Sequence, residues 1–251
     1  MSSNEHSRAD VQFHADRARS YDADVTSDFG IYDALELRPY LDGLEPGVVG
    51  DIGCGTGEVS LQLAARGFEV RAVDHSPDMV GVARAKAAAA GLDGRITFSL
   101  AEITELPFED STLDGLTCQR VLHHVAELDR VLAEFHRVLK PGGFLYVSDY
   151  LGDDPAPIRA LRSLKRLDRR RRSRSIAELG NFLDRHEVRR TAPEFVSALT
   201  RAGFDVRTRF YCHLAARHIP LRALRILAIR ALSLPWRHRR GSMIFAFGVK
   251  R

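Results

Sequence analysis

The chain has 251 residues, of which 45% are hydrophobic and 28% are charged, and its net charge is +4. This composition predicts a globular protein with a sizeable core and excludes a disordered or fibrous chain. The three cysteines, Cys54, Cys118 and Cys212, are too few for a disulfide framework and lack the spacing of a metal-ligand or redox pair. They predict buried thiols in a reducing cytoplasm and no metal site.

Residues 1–45 are predicted to form a polar, helical lead-in. They contain three aromatic residues, Tyr21, Phe29 and Tyr32, but no apolar segment of the kind that a signal peptide requires. We therefore expect a cytoplasmic protein, and we assign the lead-in to a single domain that spans residues 1–251.

Between Gly47 and Tyr150, apolar runs alternate with amphipathic helices. The five predicted strands are VVGDIG, FEVRAVD, RITFSLAE, LDGLTCQ and GFLYVSDY. The predicted helices include VSLQLAAR, DMVGVARAKAAAAG, which ends at Gly91, and AELDRVLAEFHRVLKPGG, which ends at Pro141–Gly143. Strands that alternate with helices predict a parallel sheet with helices on both faces.

A further helix and two strands follow later in the chain. APEFVSALTRAGF is predicted as the helix, and residues 204–212 and 243–249 are predicted as an antiparallel pair of strands at the edge of the sheet. The predicted fold class is therefore α/β, a Rossmann-like, doubly wound, seven-stranded sheet that is mostly parallel with an antiparallel last strand.

Two basic insertions interrupt this pattern. The first insertion is residues 151–192, and its part from Arg159 to Arg190 contains 12 Lys or Arg and four acidic residues. The second is residues 213–240, which contain seven Arg and no acidic residue. The first could bind an anionic substrate, RNA or an acidic membrane surface, cover the substrate as a lid, or be a solvated face. The second is amphipathic and could lie in a membrane interface with Trp236 as its anchor, or pack as a lid or dimer element.

The loop VGDIGCGTGE follows the first predicted strand and has glycines at positions 53, 55 and 57. A dinucleotide-binding loop has the spacing G-x-G-x-x-G, whereas this chain has Glu58 where the third glycine would stand. Asp51 and Glu58 would repel a pyrophosphate, but Asp51 would attract a ligand with an ammonium or sulfonium charge. The loop therefore favours S-adenosylmethionine over a dinucleotide, with a purely structural turn as the remaining alternative.

Asp74 ends the second predicted strand, 19 residues after Gly55. A carboxylate at this strand tip lies where it would accept hydrogen bonds from both hydroxyls of a ribose. The same residue could instead cap the next helix. Together with the glycine loop, it favours ribose binding.

In this order, the motifs resemble those of class I S-adenosylmethionine-dependent methyltransferases, in the branch of small-molecule and quinone methyltransferases. DIGCGTG resembles the first motif of the family, AVDHSPDMV the second, SLAEITELPF the adenine-binding motif, LDGLTCQRVLHHV the fourth-strand motif, LKPGG the turn before strand five, and EFVSALTRAGF the late helix–strand junction. The resemblance covers roughly residues 45–150 and 193–250.

The resemblance implies which residues hold the methionine portion of the cofactor. Gly53 and Gly55, with Cys54 between them, would lie against it. Asp51 would lie near its amino group, and Gln119 would contact it from the opposite side.

The resemblance also implies the residues of the nucleoside side. Asp74 would hold the ribose, and His75 and Met79 would border the adenine. Glu102 takes the place of the usual Asp beside the adenine amine, and the backbone N–H of Ile103 would complete the contact.

Methyl transfer to a hydroxyl or a carbon acid requires an aligned acceptor in a dry pocket and a general base within hydrogen-bonding reach. His123 and His124 lie nearest the expected methyl position, and neighbours on a helix point about 100° apart, so at most one of them is expected to face the pocket. His124 is the candidate base, with a structural histidine as the alternative. Asp149 and Tyr150 are further pocket candidates. Tyr21 resembles an aromatic residue that covers the cofactor, or else packs within its own helix.

The predicted function is methyl transfer from S-adenosylmethionine to a small-molecule, lipid or quinone-like acceptor, by O- or C-methylation. The alternatives are a non-catalytic S-adenosylmethionine-binding regulator or membrane-surface adaptor, a nicotinamide-dependent oxidoreductase and an RNA methyltransferase. RNA is disfavoured because the chain reads CQRV where many nucleic-acid methyltransferases have N/D-P-P-Y/F, and because residues 159–190 contain a single aromatic residue, Phe182. The expected partners are the acceptor, an anionic membrane surface and a second copy of the chain.

Overall fold

The computed structural model describes residue 18 and residues 36–152, 188, 190–211 and 243–251. Tyr21, the arginine-rich part of 151–192 and all of 213–240, including Trp236, lie outside the described residues. The interpretations of the lead-in and of both basic insertions therefore stay predictions, as does the assignment of the chain to one domain.

In the described part of the chain, seven strands form one sheet. They are β1 (Val48–Ile52), β2 (Glu69–Asp74), β3 (Ile96–Leu100), β4 (Leu113–Gln119), β5 (Leu139–Tyr150), β6 (Phe204–Tyr211) and β7 (Met243–Lys250). Their order across the sheet is β3-β2-β1-β4-β5-β7-β6. Strands β1 to β5 pair in parallel, and β7 runs antiparallel to both β5 and β6. The predicted sheet, mostly parallel with an antiparallel last strand, is confirmed.

Helices connect most of these strands. The described helices are α1 (Arg38–Leu41), α2 (Glu58–Ala64), α3 (Pro77–Ala89), α4 (Leu128–Val138) and α5 (Ala192–Arg201). Helix α5 begins with a capping box, in which Thr191 and Glu194 bond each other's backbone N–H groups. The connection from β3 to β4, residues 101–112, consists of turns instead of the helix that strict alternation would give.

Helix α4 ends earlier than its sequence pattern predicts. Its last residue is Val138, and Leu139 is already extended and pairs with Leu113 of β4. Pro141 explains the difference, because a proline disfavours the helical conformation of the residue before it, here Lys140. The Pro141–Gly143 turn therefore lies inside β5, where the register with β4 shifts.

Two apolar clusters cover the two faces of the sheet. On β5, Leu145 and Val147 belong to one cluster and Phe144 and Tyr146 to the other, as expected when successive side chains of a strand point to opposite faces. The first cluster includes Phe135 of α4, and the second includes residues of α1 and α2. Since both faces of the sheet are covered, a ligand is expected to bind at the carboxyl ends of the parallel strands.

Candidate functional site

The candidate site lies at the carboxyl ends of β1, β2, β4 and β5. From β1 the chain crosses to β2 and β3 on one side of the sheet and later returns to β4 and β5 on the other. Open α/β sheets bind their ligands in the crevice that this reversal creates. The glycine loop follows β1, and Asp74 and Gln119 are the last residues of β2 and β4.

The three glycines of the loop have left-handed backbones, with φ of 70° at Gly53, 52° at Gly55 and 81° at Gly57. A Cβ atom at Gly53 would lie 2.3 Å from Val121, and one at Gly57 would lie 2.9 Å from Ala83 of α3. Those two glycines therefore allow protein segments to approach one another. Gly55 differs, because a Cβ built there meets no atom of the protein within 4 Å. The backbone at Gly55 is thus the part of the loop that a ligand can approach closely.

Asp51 is a buried carboxylate at the end of β1. The hydroxyl groups of Ser60 and Thr117 donate to its two oxygens, at 2.5 and 3.0 Å. Burial raises the pKa of Asp51 to about 6, and the two hydroxyl hydrogen bonds act in the opposite direction. Both donors are neutral, so a ligand with a positive charge would stabilise the ionised form.

Asp74 joins the tip of β2 to the two loops beside it. Its Oδ2 accepts from the backbone N–H of Gly55 at 2.8 Å, and its Oδ1 accepts from that of Ser76 at 2.9 Å. Ser76 in turn caps the N-terminus of α3. The cap itself is therefore Ser76, and the carboxylate of Asp74 is held in a fixed orientation with one further lone pair available on each oxygen.

The residues predicted to border the adenine differ in burial. His75 is half-buried, Met79 is buried under the start of α3, Glu102 is exposed and Ile103 is half-buried. The backbone N–H of Ala101 donates to the carbonyl of Asp74 at 3.2 Å, which ties this loop to the end of β2.

A pair of α4 side chains, which the sequence analysis missed, holds the far end of that loop. Arg137 donates to the carbonyls of Phe108 and Leu106, at 2.8 and 3.3 Å, and to both carboxylate oxygens of Glu134. Glu134 accepts from the backbone N–H of Leu106 at 2.8 Å. Glu134 and Arg137 are three residues apart, a spacing from which an ion pair on one helix face could have been predicted. The sequence gives no sign that the pair binds the backbone of the 101–112 loop.

Gln119 is buried at the end of β4, and among the described residues its Nε2 has no hydrogen-bond partner. A buried amide donor without an acceptor costs about 1–3 kcal/mol, so this position favours a ligand that supplies an acceptor. Cys54 is also buried. Burial, and then the charges of Asp51 and Asp74, raise the pKa of the Cys54 thiol well above its usual value, so it packs as a neutral group.

His123 and Asp149 form a buried pair across the ends of β4 and β5. Nδ1 of His123 lies 2.6 Å from Oδ1 of Asp149, and the backbone N–H of His123 donates to Oδ2 at 3.1 Å. The contact with a carboxylate assigns the ring proton to Nδ1, which makes Nε2 the basic nitrogen. The sequence analysis named both residues but did not foresee that they pair.

The rings of His123 and His124 lie side by side, with centroids 3.9 Å apart. The two residues lie in a single 3-10 turn, Leu122–His124, instead of the α-helix that the sequence analysis assumed, and their rings are in contact. His124 stays a predicted base, but its neighbour is the histidine that Asp149 orients. Tyr150 packs edge-on against His123, with ring centroids 5.0 Å apart.

The chain resembles known methyltransferases over its central part. Residues 50–147 match the family described as Methyltransferase domain. Demethylmenaquinone methyltransferase of Symbiobacterium thermophilum is 42% identical over 97 residues, which are 37% of this chain and 38% of the relative. The 27-O-demethylrifamycin SV methyltransferase of Amycolatopsis mediterranei is 36% identical over 102 residues, which are 40% of this chain and 38% of that protein.

A solved structure extends the likeness to most of the fold. Phosphoethanolamine N-methyltransferase 2 of Haemonchus contortus, in complex with S-adenosyl-L-methionine, matches 93% of this chain and 60% of its own, with a TM-score of 0.61 and 18% identity. The sequence matches span less than half the length of the curated relatives. At 18% identity, the structural match shows a similar fold and nothing more.

Proposed function

We propose that this chain, whose fold and whose residues 50–147 are those of a class I S-adenosylmethionine-dependent methyltransferase, transfers a methyl group from S-adenosylmethionine to a small-molecule acceptor. The names of its relatives support such an acceptor, since they refer to demethylmenaquinone and to 27-O-demethylrifamycin SV. O- or C-methylation is the reaction that we propose.

One observation carries the choice of cofactor. Two neighbouring strands carry, near their carboxyl ends, a buried carboxylate whose hydrogen-bond donors among the described residues are all neutral, Asp51, and a buried amide donor without an acceptor there, Gln119. A cation would stabilise the ionised form of the first, and an acceptor such as a carboxylate would satisfy the second. An α-amino acid group offers both, and S-adenosylmethionine carries one at the methionine end.

The remaining residues fit the other parts of the same molecule. The open approach to Gly55 admits the chain between the amino acid and the ribose. Asp74 has two oriented oxygens for the ribose hydroxyls. His75, Met79 and the backbone at Glu102 and Ile103 would border the adenine. When bound, S-adenosylmethionine supplies a methyl group on a sulfonium and leaves as S-adenosylhomocysteine.

We assign the proton acceptor to His123. Asp149 holds Nδ1 of the ring and would stabilise the imidazolium that forms, as in other carboxylate–histidine pairs. Nε2 takes the proton from the oxygen or carbon of the acceptor, whose electron pair forms the new bond to the methyl carbon. The proton then passes to solvent, and the pair returns to its starting state.

We propose that the acceptor is a lipid or quinone-like molecule and that the protein contacts an anionic membrane. This part of the proposal is based on the sequence of the two basic insertions, which lie largely outside the described residues. None of the described helices is both long and apolar enough to cross a membrane. Flotation with vesicles of anionic or zwitterionic phospholipid tests the contact. Binding to the anionic vesicles alone supports it, and no binding to either at low salt rejects it.

The decisive experiment is a transfer assay with S-adenosylmethionine that is radiolabelled on the methyl group. The protein is incubated with lipid and aqueous cell extracts, and labelled products are separated. Label in a small organic product supports the proposal, and its position identifies the methylated atom. Label found only in RNA or protein would contradict it, and cofactor binding without transfer to any extract would indicate a regulator.

A further inference from the structure

A short stretch of chain returns to the site just before α5 and lies against the histidine turn. The backbone N–H of Val188 donates to the carbonyl of His123 at 2.6 Å, and the backbone N–H of Gly152 donates to the carbonyl of Arg190 at 2.9 Å. Gly152 follows β5 and Arg190 precedes α5, so this hydrogen bond joins the end of β5 to the start of α5 beside the site.

The side chain of Arg190 closes over the same turn. Its Nη1 donates to the carbonyl of Leu122 at 2.8 Å, and its Nη2 donates to the carbonyls of Val125 and Ala126, the latter at 3.1 Å. These three carbonyls flank His123 and His124 on both sides. A planar guanidinium can bond several acceptors at once in fixed directions, which an ammonium group does not reproduce.

Arg190 also places a positive charge close to the buried pair. Half-burial lowers the pKa of Arg190, and the negative charges of Asp149, Glu194 and Asp129 act in the opposite direction. An arginine remains charged under such conditions. The guanidinium therefore affects both the position of the turn and the electrostatic field at His123.

We propose that Arg190 is a positioning residue for the general base: it fixes the turn that carries His123 so that the ring stays in contact with Asp149 and presents Nε2 to the acceptor. This inference rests on the proposed methyl transfer. Arg190 lies 41 residues from Asp149 in the sequence and outside every motif that predicted the site.

The test uses two substitutions of Arg190. Arg190→Lys keeps the charge but loses the planar group, and Arg190→Met loses the charge while keeping most of the apolar stem. Arg95→Lys and Arg95→Met are matched controls, because Arg95 also donates to a backbone carbonyl, that of Gly67 at 3.1 Å. Arg95 lies at the amino ends of the strands, away from the site.

The first measurement is amide hydrogen exchange, which needs no acceptor. The N–H groups of His124 and Val125 bond within the turn, to Val121 and Leu122 at 2.9 and 3.1 Å. We expect faster exchange at these amides in both Arg190 variants and unchanged exchange in both Arg95 variants. Unchanged exchange in Arg190→Met overturns the proposal, whether or not the protein transfers a methyl group.

The second measurement is the kinetics of methyl transfer. We expect kcat to fall about 10- to 100-fold in both Arg190 variants, because a small misplacement of a reacting group has an effect of that order. The KM for S-adenosylmethionine should stay within about twofold, since the residues proposed to bind it lie on other loops. A rise in that KM with unchanged kcat would overturn the proposal.

The pH profile separates charge from geometry. Among the described residues, the titratable groups in contact with the His123 ring are Asp149 and Tyr150 from β5 and His124 from its own turn. Cys118 from β4 and Arg190 interact electrostatically with Asp149. Loss of the cation favours a protonated imidazole, so the acidic limb of the kcat profile should move to higher pH in Arg190→Met but not in Arg190→Lys. An identical profile in both variants would contradict the electrostatic part of the proposal.

If the wild-type protein transfers no methyl group to any acceptor, the proposed function fails before a variant is compared. Exchange in the turn then still decides whether Arg190 positions His123. The two failures are therefore distinguishable.

Discussion

Asp74 accepts a hydrogen bond from the backbone N–H of Gly55 at 2.8 Å, so the carboxylate that would bind a ribose also holds the loop that would bind the amino acid end. One side chain thereby fixes the relative position of two halves of the proposed cofactor site. Its second oxygen reaches Ser76 at the start of α3.

We expect Asp74→Ala to abolish detectable binding of S-adenosylmethionine in a calorimetric titration. The variant loses two charge-assisted hydrogen bonds to the ribose and releases the glycine loop, which together predict an affinity at least about 100-fold lower. Asp93→Ala is the matched control, because Asp93 is exposed in the 3-10 turn that precedes β3, at the amino end of that strand. Wild-type affinity in Asp74→Ala would overturn the ribose assignment.

The affinity for S-adenosylmethionine should fall with pH below about 6. Burial raises the pKa of Asp51 to about 6 in the ligand-free protein, and the carboxylate must be ionised to pair with the ammonium group. At pH 5 the affinity should therefore be about tenfold lower than at pH 7.5. Asp51→Asn should bind weakly and without this dependence, and an Asn variant with the wild-type profile would exclude Asp51 as the titrating group.

The same residue predicts a trend in stability. Its pKa in the folded protein is above the usual 3.8, so the folded state binds the proton more tightly than the unfolded state does. The stabilisation is complete below about pH 4 and is lost as the pH rises to about 6. Denaturant unfolding across this pH range should show that the free energy of unfolding falls more steeply with rising pH in the wild type than in Asp51→Asn.

Substitution of the two histidines should separate their roles. His123→Gln is expected to lower kcat about 10²- to 10⁴-fold with little change in cofactor affinity, since it removes the base that Asp149 orients. His124→Gln should cause a smaller loss, because its ring packs against the base. A double variant with Asp149→Asn should be little worse than His123→Gln alone. A larger fall in kcat in His124→Gln than in His123→Gln would indicate that His124 is the general base.

Two alanine substitutions in the glycine loop should affect different properties. Gly57→Ala places a Cβ 2.9 Å from that of Ala83 at a left-handed backbone, so it should lower the free energy of unfolding by about 2–4 kcal/mol. Gly55→Ala meets no protein atom and should cost only about 1–2 kcal/mol, but its methyl group would occupy the approach of the ligand. Equal losses of cofactor affinity in the two variants would contradict the proposed contact at Gly55.

The parts of the candidate site whose position in the fold could be predicted from the sequence are those built from local chemistry. The glycine loop follows an apolar strand and Asp74 ends one, and parallel strands bring their carboxyl ends to the same side of the sheet, so both could be placed there from the sequence. The parallel sheet was predicted from the alternation of strands and helices, because the connections between parallel strands are almost always right-handed and few arrangements remain. The end of α4 was missed because Pro141 acts on the residue before it.

The pairing of His123 with Asp149 could not be predicted in this way. It requires the register in which Gln119 lies opposite Ser148, and a 3-10 turn that brings the ring back over β5. Arg137 and Arg190 reach backbone carbonyls that are 29 to 31 and 64 to 68 residues away. Such contacts depend on the tertiary structure and leave no periodicity in the sequence.

The place of β7 in the sheet has a consequence for the order of folding. This strand follows every other strand in the sequence, yet it inserts between β5 and β6, with Asp149 opposite Ile244. While the ribosome synthesises the chain, the edge of β5 stays unpaired until residues 243–250 emerge. Among the described strands, the β7 side of β5, where Asp149 lies opposite Ile244, is therefore completed only after residues 243–250 have been synthesised.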